Sequence, residues 1–119
     1  MAAALKVTGF HDAVDYKVVQ CTGIDDTTKY LNVTGGSGTL YAAYLDLANS
    51  STNLSLHIRD GRITSNSEIC LRGSSTAIRS IQIPTGIAFS QLDFWISANS
   101  AEADTTSFSG VVSVTLICT

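Results

Sequence analysis

The sequence predicts an all-β fold, an antiparallel β-sandwich of eight to nine strands, with a jelly roll as one arrangement that it allows. Short segments alternate apolar and polar residues with a period of two, and turn-forming residues separate them. No segment keeps helical periodicity over three turns. The chain also contains 15 serines and 14 threonines, which suit strands and turns better than helices. Together these observations are typical of a sandwich or a barrel.

The chain is predicted to form one domain. Its 119 residues are 45% hydrophobic, which is enough to build a core. Residues 13–119 are assigned to the sandwich, and residues 1–12 to an N-terminal arm or edge strand. Only 14% of the residues are charged, so the surface is either covered in part by other subunits or simply rich in uncharged serine and threonine.

A central hairpin is the clearest predicted unit. Residues 54–60 alternate apolar side chains with polar ones that include His57. Residues 40–47 are apolar on both faces and are predicted to pair with them inside a sheet that is covered on both sides. The polar residues 49–53 between them favour a turn, because such side chains hydrogen-bond to their own backbone.

Further strands are predicted on both sides of this hairpin. Pro84 is expected to end one of them, since proline lacks an N–H donor. On another, Trp95 lies on the face opposite the apolar residues, so that face is covered either by a second layer of the same chain or by a partner. The predicted strands are residues 14–21, 30–33, 68–72, 78–83, 92–98 and 111–118.

Composition argues against several classes of protein. The net charge of −3 with no basic cluster gives no electrostatic footprint for nucleic acid. No apolar run is long enough for a membrane helix, and the first residues lack the pattern of a signal peptide, so a non-secreted protein without a membrane partner is expected. The cysteines, Cys21, Cys70 and Cys118, show no metal-ligand spacing and are expected to be buried small hydrophobes.

No catalytic, metal or cofactor site is predicted. The two histidines, His11 and His57, occur without a nucleophile elbow of the G-x-S-x-G type, and His57 is expected to face solvent or a neighbour. The carboxylates of loops 22–27 and 99–109 lack the twelve-residue calcium-loop pattern. We therefore do not expect an enzyme.

Interface anchors are the candidate functional residues. Aromatic side chains often anchor protein interfaces when they lie on an exposed strand, although the same pattern also fits an ordinary two-sided core strand. The candidates are Phe10, Tyr41, Tyr44, His57 and Trp95.

A series of short motifs runs in a fixed order between residues 35 and 117. The motifs are GTLYAAYL at 38–45, ANSS at 48–51, LHIRD at 56–60, IQIP at 81–84, GIAFS at 86–90, LDFWIS at 92–97, ADTT at 103–106 and VVSV at 111–114. Their order resembles that of small virion proteins of tailed bacteriophages. The segment 61–75 departs from the family pattern, because it lacks a proline-rich run.

The resemblance implies a capsid cement or decoration protein on the virion surface. Its partners would be the major capsid protein, which it would bind across subunit junctions, and other copies of itself in a homotrimer. Because of its terminal place and small residues, the segment 2–10 is expected to order on contact with the shell. The alternative is a tail, fibre or connector component, including a glycan-binding β-sandwich module that uses Trp95 with Asp93.

Overall fold

Eight strands in two antiparallel sheets form the fold, so the predicted antiparallel β-sandwich is confirmed. The computed structural model describes residues 3–9, 16–61 and 69–119, and these residues contain no helix. Accordingly, no described helix is long and apolar enough to span a membrane. The strands are β1 (Ala4–Gly9), β2 (Lys17–Ile24), β3 (Gly38–Asp46), β4 (Leu54–Asp60), β5 (Ile69–Gly73), β6 (Ile78–Phe89), β7 (Leu92–Ser97) and β8 (Val112–Cys118).

Strands of the two sheets follow one another along the chain. The larger sheet has the order β1-β2-β8-β3-β6 and the smaller sheet the order β5-β4-β7. Residues 30–33 extend the smaller sheet beyond β7, because the backbone groups of Tyr30 and Phe94 exchange hydrogen bonds of 2.9 and 3.1 Å. With this segment included, the layers read 2-8-3-6 and 5-4-7-(30–33), which is the strand order of a jelly roll.

The predicted central hairpin is wrong. β3 lies between β8 and β6, whereas β4 lies between β5 and β7 in the other sheet. The polar turn does reverse the chain, but it also carries the chain from one layer to the other. At this crossing Leu47 and Ser50 are buried, and the backbone N–H of Leu47 donates to the carbonyl oxygen of Ala77 at 2.9 Å. Turn chemistry determines that the chain reverses, and it does not determine in which sheet the next strand pairs.

The prediction that Pro84 ends its strand is also wrong, since β6 continues to Phe89. The register between β3 and β6 shifts at this point, so that residues 83–86 oppose the single residue Tyr41. Such a bulge on an edge strand accommodates proline, because no ladder hydrogen bond is needed there. Gly86 adopts a φ of +73°, and a Cβ atom at this position would lie 2.3 Å from Cγ2 of Thr39.

The core lies between the sheets and consists of the inward side chains of both. Leu45 of β3 and Leu116 of β8 are completely buried, as are Leu56 of β4 and Phe94 of β7. The alternation predicted for residues 54–60, 92–98 and 111–118 is therefore observed, with the apolar positions of β4, β7 and β8 facing inward.

Two of the three cysteines are buried as expected, and the third is not. Cys21 and Cys118 are completely buried, whereas Cys70 is exposed on β5. Burial raises the pKa of the Cys21 and Cys118 thiols. Burial, together with the charge and the hydrogen bond of the neighbouring Cys21, raises the pKa of Tyr30 to about 12. Tyr30 thus links the smaller sheet to β2, and its ring stacks on Phe94 with a centroid distance of 5.0 Å.

A pair of matched leucine substitutions tests the position of the core. Leu45→Ala should lower the free energy of unfolding by about 2–5 kcal/mol, because it leaves a cavity between the sheets. Leu31 is 61% exposed, so Leu31→Ala should cost less than about 0.5 kcal/mol. Urea denaturation at neutral pH measures both values. Equal costs at the two positions would contradict this core.

Stability should fall at alkaline pH. The raised pKa values of Tyr30, Cys21 and Cys118 mean that folding favours their protonated forms. This contribution is complete below the unfolded-state values of 9.0 for cysteine and 10.0 for tyrosine, and it is lost as the pH rises through the folded-state values. Tyr30→Phe should therefore weaken the decline in unfolding free energy above about pH 10.

The matched control is Tyr44→Phe, which removes a hydroxyl from the other side of the larger sheet. Urea denaturation at several pH values between 7 and 11 compares the slopes. An unchanged slope in Tyr30→Phe, or an equal change in both variants, would show that the Tyr30–Cys21 pair does not govern the alkaline loss.

Candidate functional site

The outer face is the side of the five-stranded sheet that is turned away from the three-stranded sheet. Because the sandwich has two layers, none of the eight strands covers this face. The strand registers place its side chains in rows that cross the sheet from β1 to β6. One row is Thr8, Val18, Ile117, Ala42 and Gln82, and the next is Lys6, Gln20, Thr115, Tyr44 and Ser80.

The middle of the outer face is apolar and aromatic. We call the set Val18, Tyr41, Ala42, Tyr44 and Ile117 the outer-face patch. Serine, threonine and glutamine side chains surround it. Among the paired outward residues of the sheet, Lys6 and Asp46 are the only charged ones. Lys6 lies on the edge strand β1, and Asp46 lies at the end of β3.

Tyr41 and Tyr44, two of the predicted interface candidates, lie together in this patch. Both rings are half-buried, so neighbouring side chains restrict their rotamers. The ring of Tyr16 meets that of Tyr41 edge-on, with centroids 5.5 Å apart. Tyr44 lies between Thr115 of β8 and Ser80 of β6. Rings held in this way lose little conformational freedom on contact with a partner, which is why aromatic residues often anchor interfaces.

His57 and Trp95 lie on the opposite side of the molecule, on the outward face of the smaller sheet. Their exposed fractions are 0% and 1%, because residues 98–106, which we call the covering loop, lie over them. The two rings stack with centroids 4.9 Å apart and an angle of 5°. From the other side of β7, Nζ of Lys29 lies 4.6 Å from the centre of the Trp95 ring.

Hydrogen bonds from the buried Trp95 and His57 and from the half-buried Arg72 hold the covering loop in place. The indole N–H of Trp95 donates to the carbonyl oxygen of Asp104 at 2.9 Å. Nε2 of His57 lies 2.7 Å from Oγ of Ser97 and 3.2 Å from the carbonyl oxygen of Asn99. The guanidinium group of Arg72 donates to the carbonyl oxygen of Ala98.

The Asp104 carboxylate organises the loop from within. It accepts hydrogen bonds from the backbone N–H of Thr106 at 3.1 Å, from the Thr106 hydroxyl at 2.8 Å and from the backbone N–H of Asn99 at 3.3 Å. Desolvation opposes ionisation here, but these hydrogen bonds and one from Ser97 together lower the pKa of Asp104. Glu102 makes a looser contact, with Oε1 3.6 Å from a guanidinium nitrogen of Arg59.

The expectation that His57 faces solvent or a neighbour is therefore wrong, because its own chain buries it. For Trp95, the alternative of a second layer from the same chain is the one observed. Asp93 is only 6% exposed, and its Oδ1 accepts a hydrogen bond from the backbone N–H of Asn32 at 2.7 Å. Trp95 and Asp93 thus offer no open surface on which a sugar could stack. Phe10 lies outside the described residues.

Sequence reasoning missed Val18 and Ile117 as members of the patch. The alternation in β2 and β8 does show that both residues face away from the core. They lie beside Tyr41 and Tyr44 because β8 lies between β2 and β3. No local sequence pattern reveals this strand order.

Comparisons with known proteins add no family. No protein-family model and no curated protein matches the chain. Among solved structures, the chain is similar to two crystal structures of CapF, one described as a capsular polysaccharide assembling protein from Staphylococcus aureus and the other as a complex with 3-isopropenyl-tropolone. In both cases the identity is 10%, the TM-score is 0.42, and the match covers 96% of this chain and 30% of the CapF chain. The chain therefore spans less than a third of those structures, and the likeness supports no statement about function.

Fluorescence of Trp95, the only tryptophan, should report the covering loop. The native chain should emit at short wavelength and resist quenching by acrylamide, because the ring is buried. Asp104→Ala removes the carboxylate that orders the loop, so its emission should shift to longer wavelength and quenching should increase at least twofold. Glu102→Ala, which removes only the exposed contact with Arg59, should leave both signals unchanged. Equal responses of the two variants would show that Asp104 does not organise the loop.

Proposed function

We propose that the chain is a structural virion protein, a capsid cement or decoration protein that attaches its outer face to the viral shell across junctions between capsid subunits. The outer-face patch carries this proposal. It combines an apolar and aromatic centre with a rim of mostly uncharged polar side chains, on a sheet face that none of the eight described strands covers. The motif resemblance to small phage virion proteins supports the same conclusion.

The patch has the anatomy of a protein interface. Interface centres are poor in charge and rich in aromatic residues, and their rims are polar. Charged side chains are costly to remove from water, so a face whose only paired charges are Lys6 and Asp46 can be covered at low cost. The two tyrosines supply the contact area and a hydroxyl group each for hydrogen bonds at the margin.

The size of the face implies weak contact by a single copy. Five strands spaced about 4.8 Å apart give a surface roughly 20 Å wide. With a similar length, the buried area is on the order of 400 Å² per copy, compared with about 800 Å² per partner in a standard interface. Binding would therefore depend on many copies and on contacts to more than one capsid subunit, which add avidity without new chemistry. The homotrimer implied by the resemblance stays a prediction.

Copy number tests the location. Particles of the virus that encodes this chain should contain it in a ratio near one to one with the major capsid protein, or in another large fixed fraction, as measured by quantitative mass spectrometry. A few copies per particle would assign it to the tail or the connector instead. Its absence from particles would overturn the virion proposal.

Substitutions on the two sides of the molecule test the surface. Tyr44→Asp places a charge in the centre of the outer-face patch and should lower occupancy on particles that lack the native chain at least tenfold, which corresponds to about 1.4 kcal/mol. Ser100→Asp adds the same charge to the exposed covering loop and should bind like the native chain. Equal occupancy of the two variants, with unchanged Trp95 emission, would exclude the outer face as the binding surface.

A further inference from the structure

The open edge of β6 is a second surface that the proposed function does not use. β6 pairs with β3 on one side, and no described strand pairs with it on the other. Its residues 78–82 pair regularly with β3 before the bulge at residues 83–86 begins. An edge of this kind presents unpaired backbone donors and acceptors, to which another strand can add.

The first part of this edge, residues 78–82, carries little of the usual protection against pairing, because the proline and the bulge of β6 lie in residues 83–86. Native edge strands commonly carry charged residues, proline or bulges. In residues 78–82 the only charged side chain is Arg79, and its guanidinium group donates to the carbonyl oxygen of Arg72 on β5 at 2.9 Å. That contact turns the charge toward the smaller sheet. Ile78, at the start of the strand, is 67% exposed.

We propose that two copies of this chain pair β6 with β6 in antiparallel orientation across a twofold axis centred on Ser80. The side chains must keep their faces, so residues pair only where both are outward or both are inward. In the Ser80-centred register, Ser80 faces Ser80 of the second copy, Ile78 faces Gln82, and Arg79 faces Ile81. No like charges are opposed, and the exposed Ile78 gains a neighbour.

The twofold pair is the closed form available to this sheet. β1 and β6 are its opposite edges, so pairing β6 of one copy with β1 of the next would extend a row without closing it. In a twofold pair of β1 strands, Lys6 in the middle of the strand would lie opposite or diagonal to its own copy. In the Ser80-centred pair Arg79 is also diagonal to its own copy, but its guanidinium group is held at the carbonyl oxygen of Arg72. The edge geometry thus points to a dimer, in contrast to the homotrimer implied by the resemblance.

The pairing also bears on the outer face. A twofold axis perpendicular to the sheet keeps both outer faces on the same side of the dimer. The row that contains Tyr44 and Ser80 then continues through Ser80 into Tyr44 of the second copy, and two patches can contact one surface. This consequence depends on the proposed function, whereas the strand pairing does not.

The contact is small, so the dimer should be weak in dilute solution. Five paired residues span roughly 17 Å, and the edge of a two-layer sandwich buries a few hundred Å² per copy, below the roughly 800 Å² of a standard interface. Dimers should therefore accumulate at high protein concentration or on a surface that carries many copies.

Disulfide trapping tests the pairing and its register. The exposed Cys70 is first replaced in a Cys70→Ser background, and the buried Cys21 and Cys118 are kept. Ser80→Cys in this background should form a disulfide-linked dimer under mild oxidation, because directly opposed residues of antiparallel strands have Cα atoms about 4.5–5.5 Å apart, within the range of a disulfide. Gln20→Cys is the matched control, since it is exposed on the same face but lies on β2 within the sheet.

We expect the Ser80→Cys dimer to form at least tenfold faster than the Gln20→Cys dimer, with the product identified by mass spectrometry before and after reduction. Sedimentation equilibrium of the native chain should show a concentration-dependent dimer that Ser80→Lys weakens at least tenfold. Equal trapping rates, a trimer, or a monomer at all concentrations up to about 1 mM would overturn the proposal. Both experiments use the isolated chain, so their failure is distinguishable from absence of the chain in virions.

Discussion

The packing of β3 and β8 against β4 and β7 is the constraint on which the rest of the structure depends. Each of these strands alternates, so burial of one set of side chains sends the other set to the far side of its sheet. The sandwich consequently has two outward faces that carry different side chains. On the larger sheet they include tyrosine, threonine, serine and glutamine beside the apolar Val18 and Ile117, and on the smaller sheet they include Trp95, His57 and Arg59.

The covering loop lies on the outward face of the smaller sheet, and there is a physical reason for its position. A stacked Trp95–His57 pair would expose a large ring surface. The covering loop removes this surface from water and supplies partners to the indole N–H of Trp95 and to Nε2 of His57. The hydrogen bonds to Asp104 and Asn99 replace those lost to water, which makes the cover compatible with burial. Among the residues that the structure describes, no comparable loop lies on the larger sheet, where half-buried tyrosines have polar neighbours. The face that remains open is therefore the one suited to a partner.

Local sequence patterns predicted the strands well and their neighbours poorly. Period-two alternation identified β4, β7 and β8 within one or two residues, because burial of one face is a local property of each strand. The jump from β3 to β4 between sheets and the course of β6 through Pro84 depend on tertiary pairing. The same limit applies to the candidate site. Tyr41 and Tyr44 could be selected as aromatic residues on a strand, but the cover over Trp95 and the meeting of Val18 with Ile117 follow from topology alone.

The position of β6 connects the outer face with the proposed self-association. In a five-stranded sheet, another strand can add only at the two edge strands. The side chains of each face then determine the chemical character of the extended surface. Because edge pairing preserves the faces, growth at β6 enlarges the uncharged surface without burying any of it. Face-to-face pairing would instead consume Tyr41 and Tyr44. Edge association and surface attachment are therefore compatible in one molecule, and the bulge with Pro84 limits the pairing to the first part of β6.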